Sequence, residues 1–542
     1  MIRILYPGPA AFQGSVVESA FRRSCGRRAV STIPVFALGE IPADAPAIIV
    51  FVDPPDEWSP IICRLIESAQ KKVILFGAIP NGLADFLSIQ ESSSESIADE
   101  FDHGEVVPAK VGEPEESSLR IRYNSSFFNL LGELVDRPLV RYDFEAEWNN
   151  LGFGMIHSRL GAIWGVAQPG VLAGRNSLGD IIDTAFGRST VKGTYVALWE
   201  QSGASFLWWN RSVGPVDSGE WKIVEDFICN ARCEELPCQP VIRDVPGGYQ
   251  SAVTSRLDCD EDVESSRYLF NSYQEWEIPF SLAVCTRLLD DAKHHQILKD
   301  VSSRGGAVLS HSQTHFPEWG GNYRVAVGEA KSSKKRIESI LGESVEFVVS
   351  PFHQTPRYAV EALQDTGYQG VVSGIPRNDP ELFVSRAGTP PFASEGFITH
   401  SQATMLHGDC LVDGRKEDGN PNPGETFQRA FQIALKSESF FGYLDHPFSE
   451  RYAYGWDSEE QRAAVHRELI KVMKESSEKV WFANQNEALA FLASKDRLSY
   501  KENRECFKFG HGERPGRLPI EVIYRKQRHR LPVNSTSLLI SL

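Results

Sequence analysis

Three short strings of the sequence carry side chains that could act together in chemistry. LDCDE contains Asp258 and Asp260, SHSQTH contains His311 and His315, and YLDHP contains His446. One carboxylate and two imidazoles can hold a divalent metal ion while leaving coordination positions open, as catalysis requires and a closed structural zinc site does not allow. The strings therefore predict a catalytic metal centre.

The local spacing favours one shared site. In an Asp-x-Asp sequence that is still extended, Asp258 and Asp260 project to one side of the strand and Cys259 to the other. If the chain after His311 continues as a helical turn, His311 and His315 lie one turn apart and can bind the same ion. The pattern alone leaves open which of the two carboxylates binds the metal.

The strings also resemble the motifs of a known family. HSQTH resembles the HSxTH metal motif of the NodB-type polysaccharide deacetylases, which are carbohydrate esterase family 4-like, and SRLDCDE stands about fifty residues upstream, at the place of the family's aspartate motif. The resemblance covers residues 247–500. It implies that Asp260, His311 and His315 hold the metal, that Asp258 is the general base, and that His446, in an LxH motif, protonates the leaving amine.

The third motif of the family matches less well. SPFHQ, which begins at Ser350, occupies its place, and the resemblance implies an oxyanion contact from a backbone N–H near Phe352. The arginine with which the family holds its base is replaced there by Val349 and Ser350. Arg386 and Arg256 are the two candidates for the missing guanidinium. The fourth motif has no clear counterpart.

Further residues are predicted near the mouth of the site. His353, Trp319 and Trp456 are candidate substrate contacts, together with Arg386 and the Phe352 segment. Packing within the fold is an equally good interpretation of His353.

The resemblance implies a reaction and a cofactor. It predicts a hydrolase of carbon–nitrogen bonds that removes the N-acetyl group of an amino sugar or glycan intermediate, such as a precursor of a surface polysaccharide. One divalent ion would be required, with Zn²⁺ the first choice and Co²⁺, Ni²⁺ or Mn²⁺ as alternatives. The Asp-x-Asp spacing also fits an allantoinase-like hydrolase of cyclic amides. A third possibility is a degenerate carbohydrate-binding or scaffold protein that has lost its chemistry.

The elements that must position these residues follow from the hydrophobic pattern. Seven segments after residue 247 read as strands, with helical segments between many of them: SAVTSRLD, PFSLAVCT, AVLSHS, EFVVSP, YQGVVSG, FGYLDHP and VWFANQ. This alternation predicts a parallel (β/α) barrel over residues 241–500, with its active groups at the carboxyl ends of the strands. The resemblance specifies a distorted (β/α)7 barrel of the NodB type.

The rest of the chain is predicted to form separate α/β units. Residues 1–105 alternate apolar runs with helical patterns, which indicates a Rossmann- or flavodoxin-like parallel sheet without the GxGxxG signature of a dinucleotide site. Residues 106–240 predict a second α/β region with aromatic strands. Residues 501–542 are expected to be a carboxyl-terminal extension.

Composition narrows the partners and the compartment. The formal charge of −16 and pI near 5.4 disfavour nucleic acid as a partner. No apolar window approaches the length of a spanning helix, and the amino terminus is a poor signal peptide. Nine scattered cysteines fit a reducing compartment, so we expect a cytoplasmic location. The sequence does not indicate the oligomeric state.

Overall fold

The computed structural model of the chain describes most of its residues. They are residues 1–91, 119–124, 136–138, 166–168, 170–184, 189–213, 219–372, 387–400, 404–406, 423–449, 453–503, 505–511 and 516–541. Arg386, one of the two candidate guanidinium donors, lies outside the described residues.

The amino-terminal part of the chain forms one large mixed sheet. Its strands and helices are β1 (Ile2–Leu5), α1 (Ala11–Cys25), β2 (Val30–Thr32), β3 (Ala47–Val52), α2 (Ser59–Glu67), β4 (Lys71–Phe76), α3 (Asn81–Phe86), β5 (Gln90–Glu91), β6 (Leu119–Tyr123), β7 (Asp136–Pro138), β8 (Val171–Leu172), β9 (Ser177–Asp183), β10 (Thr190–Glu200), β11 (Ala204–Trp209) and α4 (Trp221–Cys229). The sheet has the order β2-β1-β3-β4-β11-β10-β9-β6-β7, and β5 pairs with β8 apart from it.

Two hydrophobic cores cover the faces of this sheet. Alternate side chains of β3 point to opposite faces, so Val50 packs in one core with Phe21 of α1, and Phe51 packs in the other with Leu65 of α2. All six residues of β3 and of β4 are buried. Continuous apolar runs of this kind are what parallel strands covered on both faces require.

The sheet corrects one predicted boundary. A division at residue 105 was expected to separate two units, but β4 pairs in parallel with β11, with Ile74 opposite Leu207. Strands from both sides of the division therefore share one sheet. The physical reason is that β4 would otherwise be an exposed apolar edge, which β11 covers.

The second half of the chain alternates strands and helices. After β12 (Val241–Ile242) it contains β13 (Ser251–Cys259), α5 (Arg267–Glu275), β14 (Ser281–Val284), α6 (His295–Ser303), β15 (Ala307–Ser310), α7 (Tyr323–Leu341), β16 (Phe347–Val349), α8 (Arg357–Asp365), β17 (Gly370–Val372), β18 (Ile398–His400), β19 (Thr404–Met405), α9 (Pro423–Lys436), β20 (Phe440–Asp445), α10 (Glu459–Ser476), β21 (Val480–Ala483) and α11 (Gln485–Asp496).

These strands form a second, wholly parallel sheet. Its order is β18-β17-β16-β15-β14-β13-β20-β19, and β21 pairs with the start of β13. The seven strands predicted after residue 247 are all present, while β18 and β19 were not predicted. Among the described residues the path from β18 to β19 does not close on itself. Because all pairings are parallel, the carboxyl ends of the strands lie along one edge.

The carboxyl-terminal residues fold back onto the body of the protein. They form β22 (Ser499–Glu502), β23 (Cys506–Gly510), β24 (Ile520–Tyr524), β25 (Gln527–Leu531) and β26 (Ser537–Ser541). β24 pairs with β12, where Val241 lies opposite Ile523, so the predicted extension is built into a small sheet.

None of the described helices combines the length and the apolar character that a bilayer crossing would need.

Candidate metal centre

Strand register brings two of the three sequence strings side by side. β13 and β20 are adjacent and parallel, with Leu257 opposite Asp445. The residues that follow, Asp258 on β13 and His446 after β20, therefore meet at the same end of the sheet. Asp260 lies just beyond the end of β13.

Asp260, His311 and His315 form a compact set of metal-ligating atoms. Oδ1 of Asp260 lies 3.2 Å from Nε2 of His311 and 3.3 Å from Nε2 of His315, and the two Nε2 atoms are 3.1 Å apart. Ligand atoms about 2.1 Å from a tetrahedral zinc ion are roughly 3.4 Å from one another. The three atoms thus match one triangular face of such a site, and all lie within 4.8 Å of one another.

The two histidines are prepared as ligands by their surroundings. Nδ1 of His311 lies 3.0 Å from the carbonyl oxygen of Val349, which fixes the proton on Nδ1 and leaves the Nε2 lone pair for a metal. In spite of its burial, the carboxylates of Asp258 and Asp260 raise the pKa of His311, whereas burial lowers the pKa of His315 to about 4. His315 is therefore neutral at physiological pH, as a metal-binding imidazole must be.

The loop that carries these histidines is not the predicted helical turn. Ser312 and His315 both have left-handed backbone conformations, with φ of 64° and 60°. Buried Glu329 of α7 holds the loop, because its carboxylate accepts hydrogen bonds from the backbone N–H groups of Gln313 and Thr314. The tight loop still places the two imidazole rings 4.7 Å apart.

Arg256 holds the second carboxylate of the Asp-x-Asp string. Its Nε donates to Oδ1 of Asp258 at 2.6 Å and its Nη2 donates to Oδ2 at 3.0 Å. The two side chains are 0% and 1% exposed. Burial alone would raise the pKa of the Asp258 carboxyl, but Arg256 and then His311 hold that pKa well below its usual range. Arg256, one of the two predicted candidates, therefore lies beside Asp258, while Arg386 lies outside the described residues.

His446 completes the ring of polar groups. Its Nε2 lies 3.4 Å from Oδ2 of Asp260, on the side of that carboxylate away from the other two histidines. Tyr454 stacks on its ring with centroids 4.8 Å apart. Sequence reasoning did not identify Tyr454.

The four remaining substrate candidates divide into exposed and buried side chains. Phe352 is 41% exposed, has a left-handed φ of 52°, and its ring lies 4.7 Å from that of His315. His353 is buried, and burial together with Arg256 lowers its pKa well below the usual value. Trp319 and Trp456 are 0% and 3% exposed. Both rings are buried in this structure, and the expectation that these two tryptophans contact substrate stays a prediction.

A second layer of buried polar groups escaped the sequence analysis. Asp445, Arg462 and His466 lie directly behind His446, and none of them is more than 2% exposed. Arg462 and His466 are four residues apart on α10, which places both on one face of that helix. This spacing was the only available signal, and it does not by itself show which strand the face meets.

Comparisons with known proteins give structural matches only. No protein-family model matches the chain, and no curated protein does. A protein from Mycobacterium smegmatis assigned to the polysaccharide deacetylases superposes with a TM-score of 0.35 at 14% identity, covering 48% of this chain and 96% of that one. Puue allantoinase gives a TM-score of 0.34 at 11% identity, with 45% and 91% covered.

A third solved structure is a CE4 family pseudoenzyme from Bacillus anthracis. Its TM-score is 0.30 at 14% identity, with 46% of this chain and 68% of that chain covered. All three TM-scores are below 0.5, and the three proteins include an assigned deacetylase, an allantoinase and a pseudoenzyme. The case for a function therefore rests on the geometry of the site.

Proposed function

We propose that this protein is a metal-dependent hydrolase that removes the N-acetyl group from an amino sugar or glycan intermediate. The observation that carries the proposal is the convergence of Asp260, His311 and His315 on one point beside a second, separately held carboxylate, Asp258. In this proposal residues 241–500 are a catalytic unit of the NodB barrel type, and the amino-terminal sheet is a scaffold for it.

Asp260, His311 and His315 would hold the metal, with zinc as the first choice. Three protein ligands leave a position for water and substrate, as in other catalytic zinc sites. A divalent ion held there supplies a Lewis acid for the amide carbonyl and lowers the pKa of water toward about 7.

Asp258 would orient the attacking water and accept its proton. Each of its carboxylate oxygens accepts one hydrogen bond from Arg256 and retains a lone pair for the water. The low pKa keeps the carboxylate ionised at neutral pH. A carboxylate with such a low pKa is a weak base in isolation, so fixing the direction of the water is a large part of its contribution.

His446 would protonate the departing amine. Its side chain is 12% exposed, and its Nε2 lies 3.4 Å from Oδ2 of Asp260, whereas His311 and His315 lie beside Oδ1 of the same carboxylate. An amine is expelled poorly as an anion, so the carbon–nitrogen bond breaks when Nε2 of His446 delivers a proton to the nitrogen. The stacked Tyr454 ring limits rotation of the imidazole.

The exposed Phe352 supports a substrate with an apolar face beside its amide. Its ring lies next to His315 at the rim of the site, where it can contact the methyl group of an acetamide or the face of a sugar ring. The backbone N–H near Phe352 would stabilise the oxyanion. A precursor of a surface polysaccharide, handled in the cytoplasm, is the substrate class that we propose.

The direct test is acetate release from N-acetylated amino sugars and short glycans. The zinc-loaded protein is expected to release free acetate. A chelator such as dipicolinate should abolish the release until zinc is restored, because only three side chains coordinate the metal and a chelator can remove it. Ring opening of a cyclic amide without acetate release would replace the proposal with an allantoinase-like activity. Binding of the sugar without turnover would show a degenerate site.

A further inference from the structure

A buried hydrogen-bonded cluster fixes the backbone of His446. The backbone N–H of His446 donates to Oδ1 of Asp445 at 2.8 Å, and the guanidinium of Arg462 donates to the backbone carbonyl of His446. Both polar backbone groups of one residue are therefore held by side chains. Arg462 and Asp445 are each 0% exposed and lie 3.8 Å apart, and Arg462 also lies 2.7 Å from Glu459, so both carboxylates compensate the buried guanidinium charge.

His466 holds the other oxygen of Asp445. Its Nε2 lies 2.9 Å from Oδ2 of Asp445, and its Nδ1 lies 2.8 Å from the hydroxyl of Tyr273, which is 2.8 Å from the hydroxyl of Tyr443. An ionised carboxylate only accepts, so the proton of His466 is on Nε2 and Nδ1 accepts from Tyr273. One consistent direction of donation then runs from Tyr443 through Tyr273 and His466 to Asp445.

The cluster connects α10 to the end of β20. Arg462 and His466 of α10 both contact the residues at this strand end, His446 and Asp445. To protonate a leaving nitrogen, the imidazole of His446 must be positioned to within a fraction of an ångström. The rotatable bonds of the side chain do not provide that restraint, so the surrounding residues must.

We propose that His466, acting through Asp445, is a positioning residue that fixes the position of the His446 imidazole relative to the leaving group. The inference rests on the proposed function, because it assigns His466 to the same proton transfer. The described contacts of His466 are with Asp445, Tyr273 and Tyr443 and not with Asp260, His311 or His315, so its effect should appear in turnover rather than in metal binding.

Two amide substitutions test this role with matched chemistry. In His466→Gln the side-chain amide reaches the position of Nε2 and can still donate to Asp445, whereas in His466→Asn it reaches only the position of Nδ1. Partners that orient a catalytic group are typically worth about 10- to 100-fold in activity. We expect His466→Asn to lower kcat by this factor with KM and zinc content unchanged, and His466→Gln to recover most of the loss.

Hydrogen exchange gives a second readout that does not depend on activity. The amides of residues 440–449 should exchange faster in His466→Asn than in the wild type, and at the wild-type rate in His466→Gln, because only the first variant releases the carboxylate that binds the His446 amide. His529→Asn, on strand β25 of the small carboxyl-terminal sheet, is the control and should change neither readout.

The outcomes separate the two proposals. Any of three results would overturn the positioning role. These are an equal loss of kcat in both His466 variants, an unchanged kcat in His466→Asn, and an effect confined to KM or to zinc content. If the zinc-loaded wild type releases no acetate from any probe, the proposed function fails instead. Hydrogen exchange then decides the inference, which is overturned if His466→Asn leaves the amides of residues 440–449 as protected as before.

Discussion

Asp258→Asn is expected to retain its zinc and to lose turnover, whereas Asp260→Ala should lose zinc and turnover together. The reason is that Asp260 contacts both ligand histidines, while Asp258 faces Arg256 and can act only on water. Loss of a general base typically costs about 10²- to 10⁴-fold in rate. Zinc content by elemental analysis and kcat by acetate release, measured on the same preparations, check both halves of this prediction.

Asp262→Asn is a charge-matched control for Asp258→Asn. Asp262 lies four residues further along the same segment and is exposed, so its substitution should leave both zinc and kcat unchanged. A fully active Asp258→Asn would remove Asp258 as the base. Loss of zinc from Asp258→Asn would instead show that the two aspartates do not have separate tasks.

The proximity of Asp260, His311 and His315 could be predicted from sequence because these residues stand in short strings at strand ends. Each string stands at the carboxyl end of a predicted strand, and parallel strands bring such ends to one edge whatever their separation along the chain. The local conformation was less predictable. The HSQTH string forms a loop with two left-handed residues, Ser312 and His315, rather than a helical turn, because contacts to Glu329 from α7 determine its shape.

Long-range pairing explains the wrong boundary in the amino-terminal half. The pattern of residues 1–90 correctly indicated parallel strands with helices on both faces. It carried no information about the edge of β4, whose partner β11 comes more than a hundred residues later. The sequence pattern therefore predicted a boundary at residue 105, although strands beyond that residue belong to the same sheet.

The residues that contact Asp258 and His446 also differ in how far they could be predicted from the sequence. Arg256 was accessible to sequence reasoning, because residues two apart on a strand project to the same side and Asp258 lies two residues on. Asp445 and His466 were not, since their contact depends on how α10 packs against β20. Local patterns thus identify the clustered aspartate and histidine side chains more readily than the buried groups that position them.

Arg256→Met is expected to destabilise the protein by about 3–5 kcal/mol, the usual effect of breaking a fully buried ion pair. The substitution leaves the Asp258 carboxylate, 1% exposed, without its main compensating charge. Removing both charges in Arg256→Met with Asp258→Asn should restore much of the stability, because no ionised group then remains buried without a partner. Urea unfolding of the metal-free protein measures the four free energies of this cycle.

An exposed ion pair on α8 provides the comparison. Arg357 and Glu361 are 3.0 Å apart with side chains 70% and 43% exposed, so Arg357→Met should change the free energy of unfolding by less than about 1 kcal/mol. If Arg256→Met is as mild as Arg357→Met, the buried pair does not hold Asp258. A large loss in Arg256→Met that the double variant does not relieve would assign the effect to packing of the Arg256 side chain. Only relief by the second substitution shows that the charge of Asp258 is what Arg256 holds in place.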